Sequence, residues 1–495
     1  LLVETKRAQW TKIPNIALVY HQSMKKFLFI WMLSPLALQA QEQWSLVKCI
    51  RQAQQENLNL QSGRVNVLSE EINLKENKYR RLPDLNGNIN MGWSIGRNID
   101  PTSNDFITQD ILNGNYGLSS SVILFQAGLV NKSIAQSKIN LSASKEEYMQ
   151  SSNDISLQVA SQYLNVLLAD ERLEIAGKNL EAIRQQMEQI QKMISAGGRP
   201  EADLYEIKSQ VAHSEQGVVS AENALDLAWL SLKQSLRLRS DLEMSLEPLS
   251  EEQLRNLESE SYTYENLYEY SSVNQPGMKA AKLRLEAAKL GEGIARAAFY
   301  PSLFGNISAG SRYSNVKLPS SYSIIGSRAI PGIRIDGKDV VFEEPLVIGT
   351  NEKAIPFTDQ FDQYLGYSFS VSLNIPIANN YRTRASVKRA KLASERSRIN
   401  FETQGLNLSQ NISQAIANVK AAIKEYDAAN SAYEAARSSQ NFTQKRFEIG
   451  ATNLFELNQS QNNLQTAELS LLISKYDLIF KQKVLDFYAG KEIKL

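Results

Sequence analysis

Two stretches of the chain, residues 128–196 and 381–449, repeat apolar residues in alternating steps of three and four for far longer than a globular core requires. In the first, the seam runs from Ile155 and Val159 through Val166, Ala169, Leu173, Ala176, Leu180, Ile183, Met187 and Ile190 to Ile194, with Gln162 in one polar slot. At 1.5 Å per residue, each stretch is on the order of 100 Å long if continuous. A compact domain has no room for such a helix, so the chain must build something elongated.

The rest of the sequence is organised around these two stretches as an internal repeat. Each half reads helix, strand, loop, strand, long helix, tight turn, long helix. Pro83 and Pro301 each close a helix ahead of a strand. Period-two alternation marks the strands, one face apolar and the other polar. Leu85, Ile89, Met91, Trp93 and Ile95 alternate with asparagine and serine; Tyr116, Leu118, Val122 and Leu124 follow. In the second half Leu303, Ile307 and Ala309 form one strand, and Tyr367, Phe369, Val371, Leu373 and Ile375 the other. A return seam begins at Leu204 and reaches Leu232, and the second half carries smaller knobs such as Ala415, Ala422, Tyr426 and Ala429. The turns joining the long helices, 196–204 and 449–457, place Gly197 and Gly450 where a helix ends in the left-handed conformation. These features divide the chain into a first repeat at 41–238, a side element at 239–276, a second repeat at 277–490 and a tail at 491–495. Residues 314–363, rich in Ser, Gly, Pro and Lys, read as an exposed loop joining the second pair of strands.

Strands of about ten residues can cross a bilayer when tilted, but four of them leave two unpaired edges, each costly in hydrocarbon. Closure therefore needs several chains. Two copies give eight strands with a filled interior; three give twelve and leave a lumen. A soluble coiled-coil protein, surface-attached or secreted and without channel activity, is the competing expectation. Heat-resistant sheet and extraction only by detergent distinguish the membrane duct from it.

The chain's 495 residues carry a formal charge of +1 with no long basic block, which argues against nucleic acid as a partner. Met24, Lys25 and Lys26, then the apolar run Phe27 to Leu38 and the small residue Ala40, read as a secretory leader at 24–40, with the mature protein starting near Gln41 and residues 1–23 an upstream extension. The single cysteine, Cys49, forms neither an internal disulfide nor a metal cluster and reads as a half-buried helical residue. His213 beside the return seam has no catalytic company at helical spacing, and Gly291-Glu292-Gly293 lacks a phosphate-loop pattern. Catalysis, metals and cofactors find no support here.

Trp44-Ser45-Leu46, Gly96-Arg97-Asn98-Ile99-Asp100-Pro101, Leu124-Phe125-Gln126-Ala127-Gly128 and the run from Arg446 to Leu457, taken with the twofold repeat, resemble TolC-type outer-membrane efflux proteins of Bacteroides-type bacteria over residues 42–490. The resemblance implies a mixed α/β membrane protein. Four transmembrane strands per protomer would contribute to a trimeric twelve-stranded β-barrel, above a periplasmic α-barrel of coiled-coil helices. It implies a homotrimer in outer-membrane lipid, a periplasmic adaptor, and an inner-membrane RND or ABC transporter supplying the energy. Gly197, Arg199, Leu204, Gly450, Leu454 and Leu457 would sit in adaptor-docking tips. Glu456 falls near a constricting ring of carboxylates in that family, with Asp203 its repeat counterpart and Glu206 a further candidate. The family's second acidic ring position is Gln459 in this sequence, a departure that leaves the double ring incomplete.

Overall fold

The computed structural model describes residues 43–99, 104, 106–108, 110–249 and 262–491. The leader at 24–40, the upstream extension and most of the tail lie outside the described residues. In chain order the elements are β1 (Gln43–Trp44), α1 (Leu46–Glu56), α2 (Leu58–Tyr79), β2 (Asn86–Ser94), β3 (Arg97–Ile99), β4 (Phe106–Thr108), β5 (Ile111–Phe125), α3 (Leu129–Ser195) and α4 (Ala202–Leu236). They continue with β6 (Ser245–Leu246), α5 (Tyr264–Asn274), α6 (Pro276–Ala297), β7 (Ser302–Ser314), β8 (Lys317–Ile335), β9 (Lys338–Ala354), α7 (Phe357–Gln363), β10 (Gly366–Asn374), α8 (Arg382–Glu448) and α9 (Leu454–Tyr488).

The repeat is metrical. Helices α3 and α8 each have 67 residues, and α4 and α9 each have 35. Both long helices leave their strand through two successive left-handed residues, Ala127 (φ 47°) and Gly128 (φ 71°) in the first half, Asn380 (φ 51°) and Tyr381 (φ 65°) in the second. The heptad seam of α3 lies on its packed side throughout, from buried Ile155 and Val159 to buried Ile183 and Ile190. On α8 the buried positions Leu408, Ile412, Ala415, Val419 and Ala422 do the same with less volume.

Strands β2, β5, β7 and β10 form one antiparallel sheet in the order β10-β7-β5-β2. Its two outer strands are continuous with the two outer helices. Near the sheet, α2 packs on α3, α3 on α6 and α6 on α8, so α2 and α8 flank the helical layer as β2 and β10 flank the sheet. At mid-length, α1 and the parallel pair β1–β6 wrap α3 around a core of Cys49, Ala53, Leu60, Val159, Tyr163, Leu232 and Leu236. The Tyr163 hydroxyl donates to the carbonyls of Trp44 (3.1 Å) and Glu247 (2.8 Å), tying the first and last strands of this belt to the long helix. Cys49 is fully buried rather than half-buried, because α1 packs on α3, α4 and α2 at once, and burial pushes its thiol up to about 12.

The span 314–363 is not a loop. It holds the 19-residue β8 and the 17-residue β9 paired as a hairpin, then the short α7. The two-residue turn is Asp336 (φ 51°) and Gly337 (φ 75°), both left-handed as a type I′ turn requires. Register shifts at Ile324/Gly326 and Ile330/Ile333 flip the strand's faces twice, which scrambles the period-two signal in the sequence. Composition alone then reads as loop.

Candidate functional site

The sheet has two chemically opposite faces, fixed by its register. Ile89, Met91 and Trp93 of β2 stand on the same face as Leu118 and Val122 of β5, Ile307 of β7, and Tyr367, Phe369, Val371 and Leu373 of β10. Trp93 is 68% and Tyr367 78% exposed in the single chain, so this apolar face has no cover within the protomer. The other face is lined by Asn88, Asn90, Asn115, Ser119, Asn306, Ser308, Ser368, Ser370 and Ser372. Hydroxyls of Ser308 and Ser368 meet at 2.7 Å across the β7–β10 pair. In its paired strands this polar face carries one charged residue, Arg312. Apolar outside and polar inside is the arrangement of a lipid-facing wall around water.

At the opposite end of the molecule the two helical hairpins turn. Both incoming helices end in the same Schellman arrangement. Gly197 N–H donates to Ile194 (2.9 Å) and Gly198 N–H to Met193 (2.9 Å), matched by Gly450 to Phe447 (3.0 Å) and Ala451 to Arg446 (2.7 Å). Gly197 (φ 77°) and Gly450 (φ 75°) supply the left-handed residue.

Beyond the turns the hairpins differ. In the second, Asn453 caps α9 by accepting from Glu456 N–H at 2.9 Å. The Glu456 carboxylate accepts from the Thr452 hydroxyl and lies 3.7 Å from the Arg446 guanidinium, with the side chain 51% exposed. In the first hairpin, the residue ahead of α4, Glu201, makes no side-chain cap. Asp203 pairs with Arg199 at 3.6 Å, its side chain only 18% exposed, and the Arg199 guanidinium sits 4.3 Å from the centre of the buried Phe447 ring. Arg199 thus joins the first tip to the end of α8.

Beneath lies a small core of Ile183, Ile190, Ile207, Phe447, Leu454 and Leu457, flanked by half-buried Leu204, Met187, Ile194 and Val211. Leu454 is 2% and Leu457 0% exposed, so neither offers a surface to a docking partner. The way the two hairpins pack turns both leucines inward, beneath the surface of the tip. Arg199 and Leu204 are likewise half-buried, while Gly197 and Gly450 stay on the surface. The apolar side chains that the tips do present are Tyr205, Ile449 and Phe455, which sequence reasoning passed over although they adjoin the glycine turns and helix starts it had marked.

Of the four constriction candidates, Glu206 accepts from Asn458 at 3.3 Å and Gln459 donates to Asn463 at 3.1 Å. The Glu206 contact belongs to a row of amides between the hairpins. Gln210 donates to Asn462 (3.2 Å), Gln461 to Gln186 (3.0 Å) and Asn179 to Gln465 (3.1 Å). Three buried polar atoms in that row, on Gln186, Asn458 and Gln461, have no partner, so the hairpins meet there through polar contacts that are only partly satisfied. No group suited to a metal occurs among the described residues, and His213 is exposed on α4. No described helix is long and apolar enough to cross a membrane.

Residues 49–236 and 267–491 match the family of outer membrane efflux proteins, one segment for each half of the repeat. The chain belongs to that family. Among solved structures, this efflux protein is similar to the transmembrane channel CusC, with a TM-score of 0.72 and 18% identity over 90% of this chain and 92% of that one. It is also similar to the outer membrane protein VceC of Vibrio cholerae (0.71, 14%, covering 91% and 97%) and to the MtrE outer membrane channel of Neisseria gonorrhoeae (0.69, 17%, covering 91% and 90%). No curated protein matches it in sequence. The efflux protein is an outer-membrane channel of a multi-component pump, with its long helices in the periplasm, and is not an enzyme.

Proposed function

We propose that three copies close head to tail into one continuous duct, which passively conducts cargo from an inner-membrane pump of the RND or ABC class and its adaptor across the periplasm and outer-membrane lipid. The observation that carries this reading is the coincidence of edges. Strands β2 and β10 each pair on one side only, and the helices continuous with them carry unpartnered heptads on the same flanks. On α2, exposed Leu58, Val65, Ile72 and Tyr79 recur every seven residues; on α8, exposed Leu392, Ile399 and Leu406 do so. Two complementary seams on opposite flanks are what a heterologous ring needs. Three protomers give twelve strands, enough for a water-filled lumen.

Lined by amides and hydroxyls, such a lumen exerts little charge selection, so the choice of cargo, small molecule or secreted protein, falls to the pump. The leader reading at 24–40 fits export to that membrane. At the periplasmic end the exposed tip surfaces around Gly197 and Gly450 meet the adaptor. Glu456, the more exposed of the two turn acids, contributes to the constriction, whereas Asp203 serves the packing of Arg199.

Mass in detergent and single-channel conductance in a planar bilayer test this. A trimer whose cation preference falls in Glu456→Gln and persists in Asp203→Asn supports the reading. A trimer indifferent to Glu456→Gln removes the constriction assignment, and a chain that stays monomeric and never inserts removes the duct.

A further inference from the structure

We propose that the β8–β9 hairpins of the three copies pack on one another above the membrane, forming a crown over the outer mouth of the duct. The inference rests on the three-copy reading and adds a contact that the barrel and tunnel do not require.

The hairpin leaves the sheet at the end opposite the helices, since β7 rises from α6 and β10 returns to α8. Its root is rigid. Gln360, 2% exposed, accepts from Ser314 N–H at 2.8 Å and donates to the carbonyls of Ser314 and Ile355, both at 2.8 Å, where β7 runs past the start of β10. Phe357 and Phe361 pack edge-on against Tyr116, with ring centres 5.4 and 6.1 Å apart. Above this bracket the two strands pair only with each other. At about 3.3 Å per residue, β8 is roughly 60 Å long. A twelve-stranded ring with strands about 4.8 Å apart and tilted near 40° is roughly 25 Å across, so the hairpins are more than twice as long as the mouth is wide.

An isolated hairpin of this kind is marginal in water, and this one is apolar on both faces. Tyr322, Ile324 and Val347 stand on one side; Ile348, Leu346 and Phe342 stand on the other, and all are at least 45% exposed. A single external partner would cover one face. In a ring, each hairpin offers one face to the copy before it and the opposite face to the copy after it, which accounts for both. Charge agrees: residues 317–354 contain five basic and five acidic side chains, so copies do not repel, and an anionic lipid surface gains nothing from binding them.

The test uses the full chain purified in detergent, with Ile324→Cys and Ile348→Cys made singly and together. The two positions lie at adjacent levels on opposite faces, so their Cβ atoms point apart and cannot bridge within one hairpin. The native Cys49 is buried and silent. Mild oxidation of the double variant is expected to give covalent dimers and trimers on a denaturing gel, with neither single variant exceeding wild type. Each single thiol should react with a bulky maleimide at least tenfold more slowly in the trimer than after unfolding. A trimer without crosslinks, whose thiols react at the unfolded rate, overturns the crown and leaves the duct standing. Failure to form a trimer overturns both.

Discussion

The two periplasmic turns share a backbone and divide the work of their side chains. Both end a 67-residue helix with the same pair of hydrogen bonds and a left-handed glycine. The second then secures itself: Asn453 caps α9, Glu456 is held by Thr452 and Arg446, and Leu454 and Leu457 are sealed in the core. The first has no side-chain cap, a half-buried Leu204, and an arginine that leans on the second hairpin's Phe447. The second turn is therefore held by its own cap and ion pair, the first leans on it through Arg199, and both rest on one core. A repeat that duplicates backbone geometry has left stability unequally distributed, and the first tip is the one to loosen first.

The sharpest way to break this comparison is to empty the shared core from either side. Leu457→Ala removes a fully buried side chain and should cost about 2–5 kcal/mol, whereas the half-buried counterpart Leu204→Ala should cost about 1 kcal/mol. Amide hydrogen exchange of the detergent-purified protein, followed on both hairpins, reads the difference, and equal effects would mean the tips are packed alike. Next come Gly197→Ala and Gly450→Ala. An added Cβ meets nothing within 4 Å at either site, so only the left-handed backbone is penalised, by about 1–2 kcal/mol and equally in both. Unequal exchange here would show that the turns are not equivalent even as backbone.

Capping should separate them again. Asn453→Ala should open the start of α9 by about 1 kcal/mol, and Glu201→Ala should leave α4 unchanged in the same exchange experiment. Among the changes that remove a contact, the smallest effect is expected from Glu456→Gln, within about 0.5 kcal/mol, because its ion pair with Arg446 is half exposed. A much larger loss of local protection would place Glu456 in the structure of the tip rather than at the constriction proposed for it.

Much of this was legible without coordinates because it is local. The heptads of α3 and α8, the alternation in β2 and β10, and the two glycine turns depend on neighbours within one or two helical turns, where periodicity is direct evidence. The β8–β9 hairpin shows how that evidence fails. Its bulges reverse the faces, and the signal that survived them, Asp336-Gly337, is only two residues long. The burial of Leu454 and Leu457 was illegible for another reason: a leucine in a turn is apolar whether it lies on the surface of the tip or in its core.

What the sequence determined by itself was the long helices, the four strands of the main sheet and their twofold order, since backbone hydrogen bonding and side-chain periodicity are set residue by residue. The tertiary structure alone decided which strands and helices lie at the edges, that Arg199 stacks on Phe447, and which leucines of the tips are buried. Those outcomes depend on how two hairpins far apart in the chain dock, and no local pattern encodes the angle and register of that docking.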